Sequence, residues 1–156
     1  MKKIFIGIDP GIKQIGFSTL INESESCFFY KSGTFIIDKE EKKRYLLIYD
    51  FFKKYFFDLQ QEFKFEKIFL CVESQFVFKN PKSAFILISV KTIFLLLGEK
   101  FGFEILELAP KLVKKNFSGY GNSSKELVQL LLMKNFSLKN FSSFDESDSM
   151  AIAFSA

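Results

Sequence analysis

"KIFIGIDPGIKQIGFSTLI", residues 3–21, decides the fold. Its first half is an apolar strand that closes on a carboxylate, Asp9, and breaks at once into Pro10-Gly11. Proline presets the first turn dihedral and glycine is free to take positive φ, so a second strand from Gln14 follows the first through a tight turn. Ionising an acid at the end of a buried strand costs several kcal/mol unless something compensates it. Asp9 therefore needs either a cationic side chain or a bound cation, and the rest of the chain has to supply one of them.

Outward from this pair, "CFFYKSGTFII" reads as a third strand returning beside the second, and residues 42–63 have helical periodicity with lysines outward. "KIFLCVES" is a continuous apolar run bounded by charges, as expected of a central strand covered on both faces. From Lys82 to Lys100 the pattern is helical with two apolar stripes, Ile86, Val90, Ile93 and Leu97 on one and Phe85, Ile88, Leu95 and Leu96 on the other. A helix apolar on two sides needs burial on two sides. One stripe is expected on the sheet and the other on a second subunit. "FEILELAP" is a short strand, "KLVKKNF" a helical turn or two, and "SGYGNSSK" a loop whose Ser123 or Ser124 caps a helix to about Lys134. A last helix starts near Asp145. The order βββαβαβα implies one α/β domain with a mixed sheet.

Composition narrows the chemistry. The chain has 156 residues, 48% of them apolar and 26% charged, which suits one soluble globular domain. It contains no histidine, which removes the commonest general base, the serine-histidine and cysteine-histidine nucleophile pairs and the usual zinc ligand. Its 23 phenylalanines, with lysine supplying all but one of 22 basic residues, fit a compositional bias better than aromatic chemistry. Cys27 and Cys71 are too few for a disulfide scaffold and are read as reduced thiols. The apolar stretch after Lys2 and Lys3 is too short for a secretory signal, and "AFILISVKTIFLLLG" is interrupted by Lys91 and too short for a membrane span. A cytoplasmic protein without membrane contact is the expectation. The net charge of +4 is unevenly spread: Lys111, Lys114, Lys115, Lys125, Lys134 and Lys139 face Glu126 alone before the acidic group Asp145, Glu146 and Asp148. A basic surface beside an acidic pocket suits a polyanion held near a metal.

Period-two alternation puts Phe5, Gly7 and Asp9 on one strand face, with open space beside the acid at Gly7, and Phe69, Cys71 and Glu73 on one face of "KIFLCVES". If these strands are parallel neighbours, both acids stand close enough to share a cation. Asp145 and Asp148, three apart, share a face of the final helix, and Ala151 and Ala153 let that helix approach the sheet. Taken singly, each acid has a structural explanation: a turn residue, a solvated strand exit, a complement to the helix dipole worth about 0.3–1 kcal/mol. Their order and strand contexts together favour a cation site. Four carboxylates repel one another until cations arrive, and two divalent ions balance their charge; oxygen ligands select Mg²⁺ first and Mn²⁺ next.

"GIDPGIKQIGF", "VESQFVFKN", "GYGNSSK" and "DESDSMAIA", in this order over essentially the whole chain, resemble the conserved blocks of the RuvC family of bacterial Holliday-junction resolvases in the RNase H-like superfamily. The resemblance implies a single RNase H-like domain over residues 1–156, a five-stranded mixed β-sheet flanked by α-helices. It implies a homodimeric endonuclease that cuts four-way junction DNA symmetrically in recombination and repair, with two Mg²⁺ per subunit, replaceable by Mn²⁺, and with RuvA and RuvB as branch-migration partners. Carried over by position, Asp9, Glu73, Asp145 and Asp148 are the catalytic, metal-binding acids, Lys114 and Lys125 contact DNA, and Phe76 stacks on bases at the junction. Residues 82–100 correspond to the dimer-forming helix. Leu127 departs from the pattern, standing where relatives usually carry glutamine.

Three other readings remain in view. The opening block is also similar to the phosphate-binding motif of actin-like ATPases and sugar kinases, which need more than twice this length. An RNase H-like nuclease acting on ribosomal RNA precursors shares that block, but the late Asp-x-x-Asp and the basic loop favour junction DNA. A DNA-binding module without catalysis would gain nothing from four acids facing phosphates.

Overall fold

The computed structural model describes residues 2–38, 42–64, 66–74 and 80–156. Strands β1 (Lys3–Asp9), β2 (Gln14–Glu23) and β3 (Ser26–Ile36) are followed by helix α1 (Arg44–Glu62), strand β4 (Lys67–Glu73), helix α2 (Pro81–Phe101) and strand β5 (Glu104–Leu108). Three helices complete the chain, α3 (Pro110–Ser118), α4 (Lys125–Phe136) and α5 (Phe144–Phe154). One five-stranded sheet runs in the order β3-β2-β1-β4-β5. Its first three strands are antiparallel, while β4 joins β1 and β5 joins β4 in parallel, Ile8 opposite Val72.

The alternation along β1 sorts two cores. Ile4, Ile6 and Ile8 face α1 and α2, where they meet Ile48, Phe52, Phe56, Phe94 and Leu97. Phe5 faces the opposite way with Phe69, Cys71, Met150 and Ile152, and the Phe5 and Phe69 rings stack with centroids 4.8 Å apart. Helix boundaries follow local chemistry: Asn80 accepts from Lys82 N with Pro81 in the first turn, Ser124 accepts from Leu127 N, and Ser143 accepts from Glu146 N.

Helix α2 carries the expected two faces with a different membership. Fully buried Phe94 is in neither expected stripe, and Leu95, placed on the stripe with Phe85, Ile88 and Leu96, packs instead against the core with Ile86 and Ile93. Phe85, Ile88 and Leu96 remain as an exposed apolar stripe. Gly11 does not adopt positive φ; its hydrogen is needed because a Cβ there would stand 2.1 Å from the Gln14 carbonyl oxygen. Both cysteines are free, Cys71 buried and Cys27 half-buried. Among the described residues no helix is long and apolar enough to cross a membrane.

Candidate active site

The parallel pairing of β1 and β4 brings Asp9 and Glu73 to the same end of the sheet, each at its strand's last residue. That end is held by Lys91 of α2, whose Nζ donates to the Glu73 carbonyl at 2.9 Å and pairs with Glu107 of β5 at 2.5 Å. Helix α5 brings the other two acids. It can reach the sheet because Gly7 and Gly16 have no side chains: a Cβ at Gly7 would stand 1.9 Å from the Ser149 carbonyl oxygen, and one at Gly16 would stand 1.8 Å from that of Asp145. The space beside Asp9 at Gly7 is thus filled by helix backbone and is not an open pocket.

Polar contacts fix the start of α5. Buried Glu146 accepts from Ser32 Oγ at 2.5 Å and from Ser142 N and Oγ at 2.6 Å each, and Thr34 Oγ1 lies 2.7 Å from Ser143 Oγ. Asp145 accepts a 2.5 Å bond from Gln14 Nε2 at the start of β2. Gln14, Lys91 and Glu146 had no site role in the sequence pattern. Only the last had a local signal, the Ser143-x-x-Glu146 capping pattern.

The outcome is a convergence of acids. Asp9, Asp145 and Asp148 offer carboxylate oxygens within 4.8 Å of one another. Asp9, Asp148 and Glu73 line a cavity of about 200 Å³ with Lys114, Lys125 and Ala151. Glu73 faces this cavity from β4 and stands outside the tight group of three. Lys125 donates to Asp148 in a short ion pair.

Electrostatics follow from the crowding. Burial pushes the Asp9 carboxyl well above the usual carboxylate range, Asp148, Glu73 and Asp145 push it further, and Lys125 opposes them. Glu73 is raised by burial and by Asp148, against Lys125, Lys114 and Lys91. Burial also raises Asp148 despite its bond to Lys125. Burial alone would lower the Lys125 ammonium, but its bond to Asp148 and the surrounding acids raise it on balance. Lys114 and Lys125 offset only part of the charge of four acids, and the all-oxygen donor set fits a hard divalent cation.

Residues 5–156 match the family model described as "Crossover junction endodeoxyribonuclease RuvC". The chain belongs to the RuvC family. RuvC of Thermosipho melanesiensis is 30% identical over 152 residues, covering 96% of this chain and 93% of the relative. RuvC of Bdellovibrio bacteriovorus is 29% identical over 155 residues, covering 98% and 89%. Among solved structures, T. thermophilus RuvC in complex with Holliday junction substrate superposes with a TM-score of 0.81 at 22% identity, covering 97% of this chain and 91% of that one. This last likeness places the fold among RuvC structures. Of the residues singled out from the RuvC-like motifs, the four acids, Lys114 and Lys125 meet at one end of the sheet. Phe76 lies outside the described residues. Leu127 is exposed on α4, its backbone N–H bonded to the capping Ser124.

Proposed function

We propose that this chain is a structure-specific endonuclease that resolves four-way DNA junctions by symmetric phosphodiester hydrolysis in recombination and repair. The observation that carries the reading is the convergence of Asp9, Asp145 and Asp148, with Glu73 on the shared cavity, beside two lysines in a chain of the RuvC family. Asp9, Glu73, Asp145 and Asp148 are the residues that would hold divalent cations, two Mg²⁺ per subunit with Mn²⁺ as substitute. Bound there, such ions would lower the pKa of a water and offset charge developing on a departing 3′ oxygen.

The chain's own residues do the rest. Ionised acids at the cavity keep phosphate away until cations offset them, so productive DNA binding at the scissile bond is tied to metal loading. Lys114 and Lys125, on the two helices that border the cavity, anchor phosphates on either side of it, and Phe76 stacks on an unpaired base. The exposed Phe85, Ile88 and Leu96 stripe on α2 pairs with a second copy, which puts two sites on two strands of one junction. The domain spans residues 1–156, acts in the cytoplasm and takes junctions from RuvA and RuvB.

A labelled four-way junction incubated with protein and Mg²⁺, beside a matched linear duplex and a structured RNA, tests the proposal. Paired nicks on the junction alone, with 5′-phosphate and 3′-hydroxyl ends, are expected, and Asp9→Asn should bind the junction without cutting it. Equal cutting of linear duplex, or preferential cutting of RNA, would overturn it.

A further inference from the structure

We infer that Gln14 is a positioning residue for Asp145, turning that carboxylate toward the other acids and holding it ready for a divalent cation. The inference rests on the reading of Asp145 as a metal ligand given above. Gln14 and Gly16 are two apart on β2 and share the sheet face that receives α5. Gly16 admits the backbone of Asp145, and Gln14 grips its side chain: Nε2 donates to Oδ2 at 2.5 Å across 131 residues of sequence.

Asp145 needs such a grip more than its neighbours do. Asp9 and Asp148 line the acidic cavity, whereas Asp145 lines an adjoining, more open groove of about 520 Å³ formed by Pro10, Gly11, Ile12, Lys13, Gln14 and Leu87. A carboxylate on that border has a solvated alternative, rotation outward into the groove and away from two like charges. The carboxamide opposes that rotation. It engages one oxygen and leaves the other for a cation.

The chemical type of the donor matters. Lys125 holds Asp148 with a full positive charge, which competes with any cation that Asp148 would bind. An amide is neutral, so Gln14 orients Asp145 without adding repulsion toward a metal, and its bond persists when the ion arrives. Hydrogen-bond partners of this kind, once removed, typically cost 10–100-fold in metal affinity.

The test is Mn²⁺ titration of DNA-free protein, by calorimetry and by loss of the free-ion paramagnetic resonance signal, for wild type, Gln14→Leu, Asp145→Asn and the double variant, with metal-free melting temperatures alongside. Leucine keeps the bulk and removes the donor. Gln14→Leu should weaken Mn²⁺ binding about 10-fold and leave the metal-free melting temperature within about 2 °C, since a half-buried position at the start of a strand tolerates such changes. The double variant should bind no more weakly than Asp145→Asn. Unchanged affinity in Gln14→Leu, with or without a lowered melting temperature, would overturn the inference while a loss in Asp145→Asn kept the metal site standing. A further loss in the double variant would also overturn it, because Gln14 would then act through some other group. Unchanged affinity in Asp145→Asn would overturn the ligand reading itself.

Discussion

Asp9→Asn should raise the stability of the metal-free protein at neutral pH. Asparagine preserves the shape and removes the charge that burial, Asp148, Glu73 and Asp145 all disfavour. Asp9, Glu73 and Asp148 share the cavity with Lys114 and Lys125, and Asp145 stands within 4.8 Å of Asp9 and Asp148, so the acids outnumber the lysines by two, and by one after the substitution. Relieving a functional site of this kind is commonly worth about 0.5–2 kcal/mol. For a domain of this length each kcal/mol moves the melting temperature by roughly 2–4 °C, which sets the expected rise at about 1–8 °C. Asp148→Asn should gain less, because it leaves the half-buried Lys125 ammonium without its carboxylate.

The pH dependence carries the same sign. A carboxyl raised in the folded state keeps its proton after the unfolded chain has lost it, so between the ordinary carboxylate pKa near 4 and the raised native values the folded state binds more protons. Stability contributed by Asp9, Glu73 and Asp148 therefore falls as pH rises through that window. Melting in EDTA at pH 5.5 and 7.5 should show wild type gaining on acidification, and Asp9→Asn gaining less. Saturating Mg²⁺ should invert the ranking, because ligand at 100 times its Kd stabilises by about 2.7 kcal/mol and the variant has lost part of that site. An Asp9→Asn variant that melts below wild type in EDTA at pH 7.5, or that keeps the full pH slope, would refute the reasoning.

Other substitutions separate the supports of the site. Gly16→Ala forces a methyl group against the Asp145 backbone and should cost about 1–3 kcal/mol or more in urea denaturation, with loss of junction cleavage. Gly98→Ala meets side-chain atoms alone, Leu70 Cδ2 at 2.8 Å and Ile105 Cδ1 and Cγ1 at 3.2 Å, and gains roughly 1 kcal/mol of helix propensity, so its denaturation midpoint should stay near wild type. Lys91→Met removes the charge-assisted bond to the Glu73 carbonyl and the pairing with Glu107, an expected loss of about 1.5–3 kcal/mol by the same denaturation measurement. The proposed pairing of two copies through the exposed stripe of α2 predicts a dimer in analytical ultracentrifugation that Ile88→Lys converts to monomer with loss of paired nicking, while the melting temperature at low concentration holds.

The order of elements along the chain and the face that each acid occupies were legible because both rest on short-range rules, whereas the parallel pairing of β1 with β4 was a condition that only the fold could meet. Two-residue alternation assigns Phe5, Gly7 and Asp9 to one face whatever the rest of the chain does, and a proline-glycine break after Asp9 ends the strand there. Three-residue spacing does the same for Asp145 and Asp148. Helix α2 shows the limit: its apolar residues are so dense that periodicity cannot choose between Phe94 and Leu95 as the core position, and packing against α1 and the sheet decides. Gly7 was read as open space beside Asp9 and Gly16 had no reading at all, because the backbone that crowds them arrives from more than 120 residues away. Gln14 had no local signature, because a glutamine at a strand start is unremarked until α5 is laid across it.

A site that gathers mutually repelling acids must be held closed by something that repulsion cannot reach. Here that is α5. Its buried Met150, Ala151, Ile152 and Ala153 pack on the sheet around Phe5 and Cys71, and its first turn is tied down by the Glu146 network to Ser32 and Ser142. Glycines at positions 7 and 16 let backbone meet backbone, so the helix cannot be pushed outward without breaking both the apolar seam and the polar clamp. The charges can consequently change state, protonated, paired with lysine or neutralised by cations, while the carboxylate positions stay fixed. That separation of support from charge is what allows four acids to be gathered at one end of the sheet before any metal enters.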